Sequence, residues 1–219
     1  LKKLQFLSLL FLICSCSISN RIIDKPIQFD EERIELTKEY MKSRYGLDRN
    51  SIKINPKMIV LHWTAIPTFE GSYDAFYKST LPNWRPDIEN VSGLNVSTHF
   101  LVDKNGKIYR MMPENYMGRH VIGLNHCAIG IENVGGTKES PLTKKQLKSN
   151  IKLVRYLAKK YDIEFLIGHY EYTNFEGHPL WLEVDEGYRT EKTDPGKDFM
   201  AKARKATKKI NFTSVPIKE

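Results

Sequence analysis

Cysteine is scarce in this chain, with Cys14, Cys16 and Cys127 the only three in 219 residues. Two of them fall beside an apolar N-terminal stretch, which leaves Cys127 alone and excludes a disulfide framework. Long hydrophobic runs are also missing. The longest, residues 4–13, is about half of what a membrane-spanning helix needs. There is no internal repeat, no low-complexity tract and no His-Glu-x-x-His signature. Acidic residues are outnumbered, 26 Asp and Glu against 34 Lys and Arg, giving a formal net charge of +8 and a pI near 9.2. Such a balance attracts polyanions. The basic residues are scattered, however, and their densest groups, 144–160 and 202–209, read as solvated helix faces. No stripe interleaves basic with aromatic residues, so a nucleic-acid partner is not expected, whereas an anionic envelope polymer suits the charge equally well. With 41% apolar residues and 11% aromatics, the chain is long enough for one well-cored domain and short for two.

At the N-terminus, Lys2 and Lys3 precede an apolar run with the length of a secretory signal core. Ile13-Cys14-Ser15-Cys16 then resembles a bacterial lipobox. This reading makes residues 1–15 a lipoprotein signal peptide and Cys16 the lipidated residue, with an ordinary signal peptide cut nearby as the alternative. The protein would sit lipid-anchored in a bacterial cell envelope, outside the inner membrane, on the periplasmic or outer-membrane side. Residues 16–29 read as a tether and 211–219 as a C-terminal tail.

Residues 58–65 organise the rest. Met58-Ile59-Val60-Leu61 reads as a strand buried on both faces, and it delivers His62, Trp63 and Thr64 at its end. An imidazole there can be a metal ligand, a catalytic base or a packed structural histidine. Phe165-Leu166-Ile167-Gly168-His169 repeats the pattern. Two strand-end histidines can converge on one rim, and zinc takes such ligands with a position left for water. Spacing alone does not select the carboxylate that completes a set.

Around these strands, Asp30 caps a helix through about Tyr45, with Ile34, Met41 and Tyr45 as its buried stripe. A helix fits between 69 and 79, and Pro82, Pro86 and Gly93 mark a loop able to border a cleft. Residues 96–103 alternate as a strand, Asn105-Gly106 turns a hairpin, and 107–112 return. In the strand 128–134, Ile129 and Ile131 face one way while Gly130 and Glu132 face the other. Thr143 and Gln146 form a capping box for a helix over 144–161 with Leu147, Ile151, Val154, Leu157, Ala158 and Tyr161 inward. A last helix spans 197–207. Alternating strands and helices make an α/β or α+β sheet domain. Cys127, at a strand start, reads as a small buried residue.

Five segments carry a family resemblance: His62-Trp63-Thr64-Ala65, Val96-Ser97-Thr98-His99-Phe100, Ile129-Gly130-Ile131-Glu132, Gly168-His169 and Lys192-Thr193-Asp194-Pro195-Gly196. In that order they resemble the zinc-dependent N-acetylmuramoyl-L-alanine amidases of the amidase-2 group, which shares its fold with the peptidoglycan recognition proteins. The similarity covers about 58–199 and is greatest to the bacterial anhydro-muropeptide amidases, whose third ligand is aspartate. It implies a single amidase domain over 30–210, with a mixed central β-sheet flanked by helices and zinc at the bottom of a groove.

The resemblance further implies His62, His169 and Asp194 as zinc ligands and Glu132 and Lys192 as catalytic residues. Each has a plainer alternative: Glu132 an exposed strand carboxylate, Lys192 a surface charge, Asp194 a helix cap. His120 and Trp63 are expected to contact substrate. The implied activity is hydrolysis of the amide between N-acetylmuramic acid and L-alanine in peptidoglycan or muropeptides, during wall turnover or recycling, by a monomer. A recognition module that binds such fragments without cutting them is the alternative. One departure is the 25-residue separation of His169 and Asp194, longer than in the short members of that branch. The extra segment is rich in aromatics such as Tyr172, Trp181 and Tyr188, and reads as a cleft wall or lid, or as a self-packed loop.

Overall fold

All four residues of the strand Met58–Leu61 have no solvent exposure, which is what an uninterrupted apolar tetrapeptide demands of its surroundings. In a computed structural model, which describes residues 18–83, 88 and 91–217, this strand is the second of six. The strands are β1 (Ile22–Asp24), β2 (Met58–Leu61), β3 (Phe100–Val102), β4 (Ile108–Arg110), β5 (Ala128–Asn133) and β6 (Phe165–Gly168). Their order across the sheet is β1-β4-β3-β5-β2-β6. β3 and β4 pair antiparallel and every other pair is parallel, so the sheet is mixed, as expected.

The helices given bounds among the described residues are α1 (Glu31–Tyr45), α2 (Phe69–Tyr77), α3 (Lys144–Lys160) and α4 (Lys197–Thr207). α3 and α4 lie side by side on one sheet face, where Leu153, Val154 and Leu157 of α3 and Phe199, Met200 and Ala203 of α4 meet Ile59, Leu61, Ile129 and Ile131. Met58, Val60 and Ile167 point to the opposite face, against Val121, Ile122, Tyr172 and Phe175. Burying an aliphatic side chain contributes about 1.5–3 kcal/mol, so β2 alone supplies a large share of the core.

Several boundaries differ from expectation. Residues 16–29 read as a tether, yet Ile22–Asp24 form the edge strand β1 against β4, and Ile18 already packs on the core. The C-terminal tail also lies on the domain: Thr213 donates its amide to the Glu164 carbonyl, and Phe212 rests on the α3–α4 core. The strand expected over 96–103 is regular only at 100–102. Ser97 instead bonds the loop at Arg119, and the His99 carbonyl accepts from Met111. Residues 1–17, which include Cys16, and 84–87, in the loop containing Pro86, lie outside the described residues.

Two helices bury polar groups that periodicity assigned to apolar ones. In α1, Met41 and Tyr45 are buried as expected and Ile34 packs partly buried on the same cluster, but Arg33, Thr37 and Tyr40 are buried more deeply than Ile34. Arg33 donates to the carbonyls of Gln28, Phe76, Tyr77 and Lys78, thereby closing the C-terminal end of α2, which has no basic residue of its own there. Asp30 caps α1, and the Ser79 hydroxyl, the Arg33 amide and the Gln28 amide together hold its carboxyl at about 2. In α3 the capping box of Thr143 and Gln146 forms, but Gln146, Ser149 and Asn150 are buried ahead of Leu147 and Ile151. Gln146 donates to the carbonyls of Val102 and Val134, tying the helix start to two strand ends.

Candidate active site

The sheet register creates the site. Leu61 pairs with Gly168, so the next residues along two adjacent parallel strands are His62 and His169, with rings 4.4 Å apart. His62 extends the ladder one step by donating its amide to the Ile131 carbonyl at 2.8 Å. Its own carbonyl accepts from the Asn133 amide, and Asn133 and Asn150 bond each other side chain to side chain, so α3 braces the backbone at His62. Neither asparagine was singled out from sequence. The available signal was a polar residue, Asn150, on the side of α3 that also carries Leu153, Val154 and Leu157.

Asp194 arrives from the loop before α4. Its carbonyl accepts from the Tyr170 amide, and a side chain on Gly168 would meet Pro195 and Met200 at 3.0 and 2.9 Å, so the close approach of this loop requires glycine there. Asp194 does not cap α4, because Gly196 occupies that position. Asp194 Oδ2 lies 3.1 Å from His62 Nδ1 and 3.0 Å from His169 Nδ1, and all three residues are buried. One donor atom from each falls within 4.8 Å of the others, an arrangement able to hold a metal ion.

The hydrogen-bond chain behind His62 sharpens this. The Ala128 carbonyl can only accept, so His120 Nε2 carries a proton toward it at 3.3 Å. Burial, with the neighbouring His62 and His99, pushes His120 well below the usual histidine range, so its Nδ1 is an acceptor. His62 Nε2, 3.1 Å away, therefore donates to it. His62 Nδ1 is left with a lone pair directed at a carboxylate oxygen. Two acceptors facing each other at 3.1 Å call for a cation between them, and two imidazoles with one carboxylate fit a small divalent ion that takes nitrogen and oxygen ligands. Burial, and next the charge of His169, lower His62 to about 4. For Asp194, burial opposes ionisation, but the charge of the paired His169 works against it and holds the carboxyl well below its usual range.

The other expected residues surround this cluster. Glu132 on β5 is buried, with Oε1 4.0 Å from His62 Nδ1. Lys192, two residues before Asp194, is partly buried on the groove wall, and its charge reaches His62. Gly130 leaves room for the His120 ring, which a Cβ would meet at 2.9 Å. Trp63 lies over Gly136, whose φ of +107° and contact with the indole both exclude a side chain. His99 is structural: Nδ1 accepts from the Gly130 amide at 2.9 Å and Nε2 donates to the Tyr116 carbonyl at 2.8 Å. Cys127 is buried, and burial pushes its thiol up to about 12, so it is no nucleophile.

Trp63, His120, Glu132, His169, Lys192 and Asp194 line a groove of about 450 Å³. Ile88, Val121 and Ile122 supply an apolar wall, and Tyr188, Thr190 and Glu191 bring the long segment between His169 and Asp194 to its edge. That segment is a packed wall: Tyr172 and Phe175 are buried in the core, and Glu183 pairs with Arg44 at 2.6 Å to tie it to α1.

The model of the N-acetylmuramoyl-L-alanine amidase family, Amidase_2, matches residues 52–197. Peptidoglycan recognition protein 3 of Mus musculus is 31% identical over 93 residues, 40% of this chain and 26% of that protein. The 1,6-anhydro-N-acetylmuramyl-L-alanine amidase AmpD of Haemophilus influenzae is 30% identical over 118 residues, 48% of this chain and 62% of that protein. The chain thus spans less than two thirds of either relative. Among solved structures, N-acetylmuramoyl-L-alanine amidase LysC from Clostridium intestinale URNW superposes with a TM-score of 0.52 at 25% identity, covering 88% of this chain and 98% of that one. A selenomethionine AmpD derivative gives 0.53 at 21% identity over 85% and 94% of the two chains, a likeness of fold. With a family match that takes in His62, Glu132, His169, Lys192 and Asp194, the chain belongs to the N-acetylmuramoyl-L-alanine amidase family.

Proposed function

We propose that the protein is a zinc-dependent N-acetylmuramoyl-L-alanine amidase that cleaves the amide between the lactyl group of N-acetylmuramic acid and the L-alanine of a peptide stem. The observation that carries this is the buried His62–His169–Asp194 cluster at the floor of a groove, with Glu132 beside it. Zinc held by these three residues would polarise the scissile carbonyl and lower the pKa of water to about 7. Glu132 takes a proton from the attacking water as its oxygen bonds the carbonyl carbon, and returns that proton to the alanine nitrogen as the C–N bond breaks. Lys192 places an ammonium on the groove wall where the carbonyl oxygen becomes negative. His120 and Trp63 line the same groove and contact the sugar or peptide. The protein works in a bacterial envelope, anchored through a lipid on Cys16 and acting as a monomer in wall turnover or recycling.

Mass-resolved digestion of purified muropeptides tests the reading. Free stem peptide should appear with the native chain and vanish on chelation and with Glu132→Gln. Retention of intact fragments without cleavage, with zinc demonstrably bound, would instead make the protein a recognition module.

A further inference from the structure

The basic residues of α3 form a stripe. Lys144, Lys145, Lys148, Lys152, Arg155 and Lys159 are all exposed, and at 100° per residue they fall within an arc of about 100°. The helix contains no acidic residue. Beside it, α4 and the turn after it expose Lys197, Lys202, Lys205, Lys208 and Lys209 against the single Asp198. Both helices rest on the same sheet face, and Arg155 donates to the Ala206 carbonyl, so the two stripes adjoin and point away from the sheet together. These elements carry more positive charge than the +8 of the whole chain, which leaves the remainder net acidic.

The direction in which the chain leaves the domain is the second observation. The turn Ile18–Arg21 lies against α3, and Ile18 packs on the core beneath it. Cys16, where the lipid anchor is proposed, therefore precedes the basic face with almost no intervening chain; two residues span at most about 7 Å. A membrane that holds the N-terminal stretch is brought up to α3. The groove's apolar wall, Val121 and Ile122, belongs to the opposite sheet face.

We propose that the joined basic face of α3 and α4 docks on an anionic phospholipid bilayer, holding the domain flat against the membrane with its groove open to the aqueous side. Each lysine near such a surface strengthens binding about fivefold at low salt, and the effect fades as salt shortens the screening length.

The test is sedimentation of the full chain with vesicles of phosphatidylcholine alone and with vesicles containing about 30% phosphatidylglycerol, a content that gives the negative surface potential required. The apolar N-terminus contributes to both, so the ratio isolates the charge. Native protein should prefer the anionic vesicles, and Lys148→Glu/Lys152→Glu/Lys205→Glu should lower that preference on the order of a hundredfold. A melting temperature near native shows that the variant is folded; should it not fold, loss of the native chain's preference at high salt carries the same information. Equal binding to the two vesicles, or a folded variant that keeps the preference, overturns the proposal. So does displacement from anionic vesicles by duplex DNA at equal charge, which would make a different polyanion the partner.

Discussion

His62 and His169 are successive to a registered pair, Leu61 and Gly168, on neighbouring parallel strands. Their proximity is therefore set by the backbone ladder and does not depend on a bound ion. Removing the third member leaves two histidines in place without their carboxylate. Asp194→Ala should fold, with a melting temperature within a few degrees of the zinc-free native protein, while retaining less than about one tenth of the zinc after dialysis, as measured by atomic emission.

The hydrogen-bond chain from Ala128 through His120 fixes which nitrogen of His62 holds the proton. His120→Ala frees that choice. Zinc affinity, measured by competition with a chromogenic chelator, should weaken about 10- to 100-fold. An unchanged affinity would leave His120 with a substrate role alone.

Arg33 closes the end of α2 from inside α1. Arg33→Met removes the Phe76 carbonyl's donor in a buried setting and one of the donors to Tyr77 and Lys78, at a cost of about 2–4 kcal/mol. For a domain of this size that corresponds to a fall in melting temperature of about 5–15 °C, read by calorimetry at neutral pH.

His99 is neutral in the folded protein because burial lowers it to about 4 from the ordinary 6.5. The unfolded chain takes up a proton first as pH falls. The contribution is therefore complete above pH 6.5, is lost as pH drops toward 4, and changes no further below it. His99→Asn should be less stable at neutral pH yet show a shallower decline of melting temperature across that window. An identical slope in the two proteins would remove His99 as a source of acid sensitivity.

The sequence reveals the parts of this fold in which local pattern and tertiary role agree. Met58–Leu61 is apolar because both its faces are covered, and Thr143 with Gln146 signals a helix start through bonds made within four residues. The family motifs likewise mark residues that the fold brings into one groove. The burial of Arg33 ahead of Ile34 is hidden in the sequence, because Arg33 is buried for bonds to residues more than forty positions away, which no local periodicity encodes. The Asn133–Asn150 brace and the tautomer of His62 were invisible for the same reason. β1 escaped notice because its three residues, one partly buried and two exposed, lack a strand's usual alternation.

The brace that Asn150 and Asn133 place behind His62 has a thermodynamic consequence. In a zinc finger, folding and metal capture are one event, and a chelator unfolds the chain. Here the ligand backbone is held by helix and sheet, so metal binding and folding are separate equilibria joined only by mass action. Saturating zinc should raise stability smoothly, by about 2.7 kcal/mol at a hundred times its dissociation constant. Chelation should yield a folded protein that can be recharged, without passing through an unfolded chain.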